Sequence, residues 1–70
     1  MRIDNFFTKE QKTWLNDNNI DINKDFDDDE IVDLIETLED MLQEQGFTNN
    51  QENEFGTVCA DVLTVLGTNT

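Results

Sequence analysis

The sequence predicts an all-α protein, a small three-helix bundle with helices over about residues 8–18, 27–45 and 51–66. Three observations carry the prediction. Apolar residues recur at three- and four-residue spacing in the second and third segments. Capping signatures precede the helical runs. The 70 residues contain no proline, and no alternating apolar–polar run is long enough to define a strand. A chain this short forms one domain, 1–70, and buries only about 60% of the surface its unfolded state exposes.

The first helix starts at Thr8. In Thr8-Lys9-Glu10-Gln11 the threonine hydroxyl can accept from a first-turn N–H while Gln11 reaches back, a capping box. Trp14 and Leu15 supply its apolar stripe, with Phe6 and Phe7 just ahead. Asn16-Asp17-Asn18-Asn19 ends it, because these side chains compete for backbone hydrogen bonds and tolerate left-handed conformations. A connector follows, in which Ile20, Ile22 and Phe26 tuck an irregular or extended segment against the helices. The second helix begins at Asp27 or Asp28, where Asp27, Asp28, Asp29 and Glu30 complement the helix dipole. Ile31, Leu34, Ile35, Leu38, Met41 and Leu42 form its buried stripe. Gly46 is the expected left-handed residue after its end, with Phe47 folding back onto the last turn. The third helix begins between Thr48 and Asn53, with Thr48, Asn50 and Asn53 all able to cap. Phe55, Val58, Cys59, Val62, Leu63, Val65 and Leu66 carry its apolar face, and Gly67 is expected to stop it. Gly56 inside the helix costs about 1 kcal/mol relative to alanine, and close approach of another helix is the explanation the sequence offers.

Composition narrows the chemistry. There is no histidine and no tyrosine, and the four bases are Arg2, Lys9, Lys12 and Lys24. Neutral-pH proton transfer most often uses histidine, and zinc sites need cysteine and histidine clusters. The three glycines lie far apart, so no loop can cradle a phosphate. The expectation is a non-enzymatic protein with no cofactor. The lone Cys59 fits a reducing compartment. Met1-Arg2-Ile3-Asp4-Asn5 does not read as a signal peptide, and Phe55 to Leu66 is too short and polar to span a bilayer. A cytoplasmic location is expected.

The formal net charge of −13 is unevenly spread. In residues 1–20 three acids balance three bases, whereas residues 21–45 hold eleven acids against Lys24, a net of −10. That balance excludes direct nucleic-acid binding, which needs a basic patch, and attachment to anionic membranes. Asp29, Asp33, Glu36 and Asp40 are spaced four, three and four apart, so a helix aligns them in one column opposite the apolar stripe; Glu39 and Glu44 widen it. Each like-charged neighbour pair costs a helix about 0.2–0.5 kcal/mol, and no base interrupts the column. One reading is a solvated face that keeps the chain soluble. The other is a partner-binding surface for a basic protein, including a nucleic-acid-binding protein whose site the carboxylates would occupy in place of phosphates.

Residues 19–30 have the length of an EF-hand calcium loop, with Asp21, Asn23, Asp25 and Glu30 as the candidate ligands. The first ligand position holds Asn19, however, and Lys24 stands where the loop's sharp turn requires glycine. An acid-rich connector entering a helix N-terminus explains the same residues. Trp14 reads as a core anchor and Cys59 as a small buried hydrophobe. The apolar face of the third helix is wide, so Val58, Val62 and Val65 are a candidate homodimer or assembly surface, against complete burial in the monomer.

Phe7-Thr8-Lys9-Glu10-Gln11, Trp14-Leu15, Asn18-Asn19-Ile20, Asp29-Glu30-Ile31, Gly46-Phe47 and Asn53-Glu54 together resemble small acidic proteins of Gram-positive bacteria and their phages or mobile elements. The resemblance spans roughly residues 6–66. It implies a three-helix fold and a mobile-element setting, and brings no activity and no site residues.

Overall fold

Two helices packed side by side organise the chain. A computed structural model describes residues 1–70 and contains α1 (Lys9–Asp17), α2 (Asp28–Gln45) and α3 (Glu54–Asn69). Between α2 and α3 lies a two-stranded antiparallel ribbon, β1 (Phe47–Thr48) and β2 (Gln51–Glu52), and a 3-10 turn, Asp4–Phe6, precedes α1. The protein is thus mostly helical with three helices, and the ribbon is a departure from the all-α expectation. α2 and α3 pack together more extensively than any other pair of elements, and α1 lies against α3.

Local chemistry sets the helix boundaries. Thr8 and Gln11 form the expected capping box, with Gln11 N–H donating to Thr8 Oγ1 (3.2 Å) and Thr8 N–H to Gln11 Oε1 (2.9 Å). At the far end of α1, Asn19 is left-handed (φ 62°). Asn19 N–H donates to Asn16 O and Ile20 N–H to Leu15 O, the paired bonds of a Schellman ending. Asp27 caps α2 through a second reciprocal pair: Glu30 N–H donates to Asp27 Oδ1 (2.8 Å), and Asp27 N–H donates to Glu30 Oε1 (3.3 Å).

At the junction between α2 and α3, Gly46 and Phe47 depart from expectation, one of the three candidate caps is selected, and at its far end α3 outruns its expected stop. Gly46 is right-handed (φ −81°, ψ −5°), not left-handed, because the chain passes into β1 without reversing at the helix end. The reversal comes three residues later, where Asn49 and Asn50 both take positive φ (53° and 66°). A two-residue hairpin turn with that geometry matches the twist of the flanking strands. Phe47 does not fold back on α2; it sits in β1, 50% exposed. The cap of α3 is Asn53, whose Oδ1 accepts from Gly56 N–H at 2.8 Å, while Thr48 and Asn50 belong to the hairpin. Nor does Gly67 end α3, which continues to Asn69: an exposed glycine with nothing around it weakens a helix without terminating it.

Asn53 also joins the two helices. Its Nδ2 donates to the Gln45 carbonyl (2.8 Å), an orphan acceptor at the end of α2, and to Thr48 Oγ1 (3.1 Å); its backbone N–H donates to Gly46 O (2.9 Å). The glycines beneath this joint lie backbone to backbone. A Cβ on Gly56 would collide with the Gly46 carbonyl oxygen, and one on Gly46 would stand 3.1 Å from Gly56 Cα. The close approach expected from Gly56 is therefore present, and Gly46 is its partner.

The core comprises Ile3, Phe7, Leu15, Ile22, Phe26, Ile31, Leu34, Leu38, Cys59, Val62 and Leu66. The N-terminal segment contributes Phe7, as its place beside the first apolar stripe suggested, and Ile3, whose role was not evident from sequence. It lies extended beside the connector: Arg2 bridges Asp25, Phe26 N–H donates to Met1 O, and the Met1 ammonium donates to Phe26 O, both at 2.7 Å. Ile22 and Phe26 are buried as expected of the connector. No helix is long and apolar enough to cross a membrane.

Two substitutions test the joint. Gly56→Ala gains about 1 kcal/mol of intrinsic helix propensity, but the obstructing atoms are backbone and cannot rotate away. A net loss of about 1–3 kcal/mol is expected, the cost of overpacking, read as a lower urea midpoint at unchanged slope. Asn53→Ala removes both the cap and the tie to Gln45 and is expected to cost about 1–2 kcal/mol. Asn53→Asp keeps the cap oxygen, loses only the tie to Gln45 and should cost less; equal losses in the two variants would leave the cap without energetic weight.

Candidate protein-binding face

The outer face of α2 follows from its inner one. Burial of Ile31, Leu34 and Leu38, with Ile35, Met41 and Leu42 half-buried beside them, fixes the helix rotation. At 3.6 residues per turn, Asp29, Asp33, Glu36 and Asp40 then fall within roughly 60° of arc, and Glu39 and Glu44 extend the acidic sector to roughly 140°. All six are exposed. The sequence-derived column is thus assembled as one surface.

No cation neutralises it. The two ion pairs of the chain lie elsewhere, Arg2–Asp4 at 3.1 Å and Lys24–Glu30 at 2.7 Å. None of the six side chains takes part in either. The last turn of α2 holds no base, so the negative end of the helix dipole adds to the charge of Glu44. One residue of this face escaped the sequence reading. Val32 is 52% exposed and has Asp28, Asp29 and Glu36 as its i−4, i−3 and i+4 neighbours. Its absence from the three-and-four spacing of the buried stripe was the available signal.

The connector residues do not converge on a metal. No group of three or more acidic or cysteine side chains is placed to hold one. Asp21 Oδ1 accepts from Asn23 N–H (2.9 Å), a local turn. Glu30 is engaged twice, by the Asp27 backbone and by Lys24 Nζ. Its pKa is held below the ordinary carboxylate value, first by the hydrogen bond from Lys24 and then by that backbone bond. The Lys24 pKa is raised, chiefly by the same hydrogen bond to Glu30, with attraction from Asp21 and Asp27 acting in the same direction. The Lys24 ammonium also lies 4.9 Å from the centre of the Phe26 ring. The connector therefore carries its own cation.

On α3 the proposed assembly surface loses its middle residue. Val62 is fully buried, because it faces α2 in register with Cys59 and Leu66. Val58 and Val65 are half-buried. Cys59 is also fully buried; its thiol donates to Leu38 O at 3.2 Å, and burial raises its pKa, so it is held as a neutral, inert group. Trp14 is half-buried and packs on Phe55 with ring centres 5.2 Å apart at 58°. It lines a surface groove of about 490 Å³ between α1 and α3, a feature that sequence reading missed because it exists only when those helices are neighbours.

Comparison of the chain with protein-family models, with curated proteins and with solved structures gives no match.

The α2 column carries like-charge repulsion without relief, and salt screens exposed charges over about 8–10 Å at 0.1–0.15 M ionic strength. Thermal unfolding is therefore expected to shift to higher temperature as sodium chloride is added. Glu36→Gln, in the middle of the column, should raise the midpoint at low salt and narrow the salt effect. A midpoint insensitive to both changes would show that the repulsion is already dissipated in the folded chain.

Proposed function

We propose that this chain is a small three-helix bundle acting as a non-enzymatic acidic binding protein, presenting the α2 carboxylates to a basic protein surface. The observation that supports it is the column itself: six exposed acids, Asp29, Asp33, Glu36, Glu39, Asp40 and Glu44, on one rigid helix with no ion-pair partner. Interspersed bases would relieve the helix repulsion, and α2 carries none within the column. Concentrated charge of one sign draws an oppositely charged partner from a distance and orients it. Val32 offers an apolar contact within the same face, of the kind that gives a charged interface a desolvated centre.

The spacing favours a partner that normally binds nucleic acid. Along α2 the six acids are separated by a mean rise of about 4.5 Å, in steps of about 1.5 to 6 Å, compared with about 3.4 Å per phosphate along one DNA strand. The helix would then act as a competitor that occupies a phosphate-binding groove, in keeping with the mobile-element setting that the sequence resemblance implies.

The triple variant Asp33→Lys, Glu36→Lys and Asp40→Lys reverses the column without touching the buried stripe. It is expected to keep its helical circular dichroism and to lose capture of a basic protein that wild type takes from host extract at low salt and releases at high salt. Duplex DNA should displace wild type from that protein if the two share a site. Capture by the triple variant equal to wild type would overturn the proposal.

A further inference from the structure

The groove between α1 and α3 pairs an aromatic wall with unpaired acids. Trp14 and Val58 supply its apolar surface, and Glu10, Asp17 and Asp61 stand around it; no lysine or arginine lines it. On α1 this follows from the helical period, which puts Glu10, Trp14 and Asp17 on one side. Lys9 and Lys12 fall outside the lining. The three carboxylates are exposed and belong to neither ion pair. Phe55 packs against Trp14 and holds the indole in place. An indole draws a cation to its face, and carboxylates close to it accept the donors at that cation's edge.

We propose that this groove receives an arginine side chain from a basic protein segment. Arginine is the side chain that meets both demands at once: its planar cation stacks on the indole while its forked N–H groups pair with carboxylates. Lysine presents a compact, strongly hydrated charge that stacks poorly and has no planar fork to pair with the carboxylates. A cavity of about 490 Å³ accommodates one such side chain with the backbone that carries it. The proposal rests on the reading of the chain as a binder of basic protein and gives it a second point of contact, one that selects arginine where the α2 column attracts any cation.

Trp14 is the only tryptophan, so its fluorescence reports the groove directly. The probes are a short acetylated, amidated arginine–glycine peptide and a lysine–glycine peptide of equal length and charge, titrated into the full chain. The arginine peptide is expected to change the Trp14 signal saturably and to bind about fivefold more tightly than the lysine peptide. The double variant Asp17→Asn, Asp61→Asn, isosteric at exposed positions, should keep its helicity and lose most of that preference, the part supplied by pairing of the guanidinium fork with the carboxylates. The α2 triple reversal should weaken both peptides alike and keep it. A missing Trp14 response, equal binding of the two peptides, or a preference that survives undiminished in the double variant would each overturn the proposal. The outcomes separate the two sites. Lost preference with column-dependent partner capture removes the groove alone, and retained preference with capture indifferent to the column removes the α2 face alone.

Discussion

The contact on which the rest of the structure depends is the meeting of Gly46 and Gly56. Two backbones approach there without side chains between them, which sets how closely α3 lies against α2. From that point Cys59 reaches the Leu38 carbonyl, and Val62 and Leu66 enter the core. Asn53 fixes the same joint in the polar direction, satisfying the end of one helix and the start of the next with a single amide. A 70-residue chain has little apolar surface to spare, and close packing at this point lets small side chains make a sufficient core.

The acidic face is a product of that arrangement. Burial of one stripe of α2 against α3 fixes the helix rotation, so the carboxylates have no choice of direction. The N-terminal segment and the connector seal the remaining core through Ile3, Phe7, Ile22 and Phe26. They do so without lending a cation to the acid column of α2. Arg2 is held by Asp4 and Lys24 by Glu30. The chain's bases are thus either engaged locally or placed on α1, and the column on α2 stays uniform in sign.

How much of this could be read in advance depended on how local each feature was. The α1 capping box, the asparagine ending and the α2 stripe are written in a few consecutive residues. The acid column was fully legible because a helix converts spacing directly into direction. The junction was not. Thr48, Asn50 and Asn53 are equally able to cap in isolation, and the choice falls to Asn53 because there the side-chain amide also donates to Gln45 O and the backbone N–H to Gly46 O. Gly46 suggested a left-handed ending, but its glycine requirement is steric: a Cβ there would collide with Leu42 O and Cδ1 and crowd Gly56 Cα. The Asn49-Asn50 turn had a recognisable signature that the two-residue strands were too short to support. Val62 and the α1–α3 groove required the relative placement of whole helices, which no local pattern contains.

The asparagine joint also bears on how the chain assembles. Its bond from Asn53 to Gln45 links residues eight apart, and even the N-terminal seal from Met1 to Phe26 spans only twenty-five. Loop-closure cost grows with the logarithm of length, so the longer closure costs only about 1 kcal/mol more than the shorter. The packing of α2 on α3 is built from such nearby partners, whereas α1 meets α3 only across the whole of α2, as in the contact of Trp14 with Phe55. The α2–α3 hairpin can therefore form as a local event, already presenting its charged side, before the N-terminal third has docked.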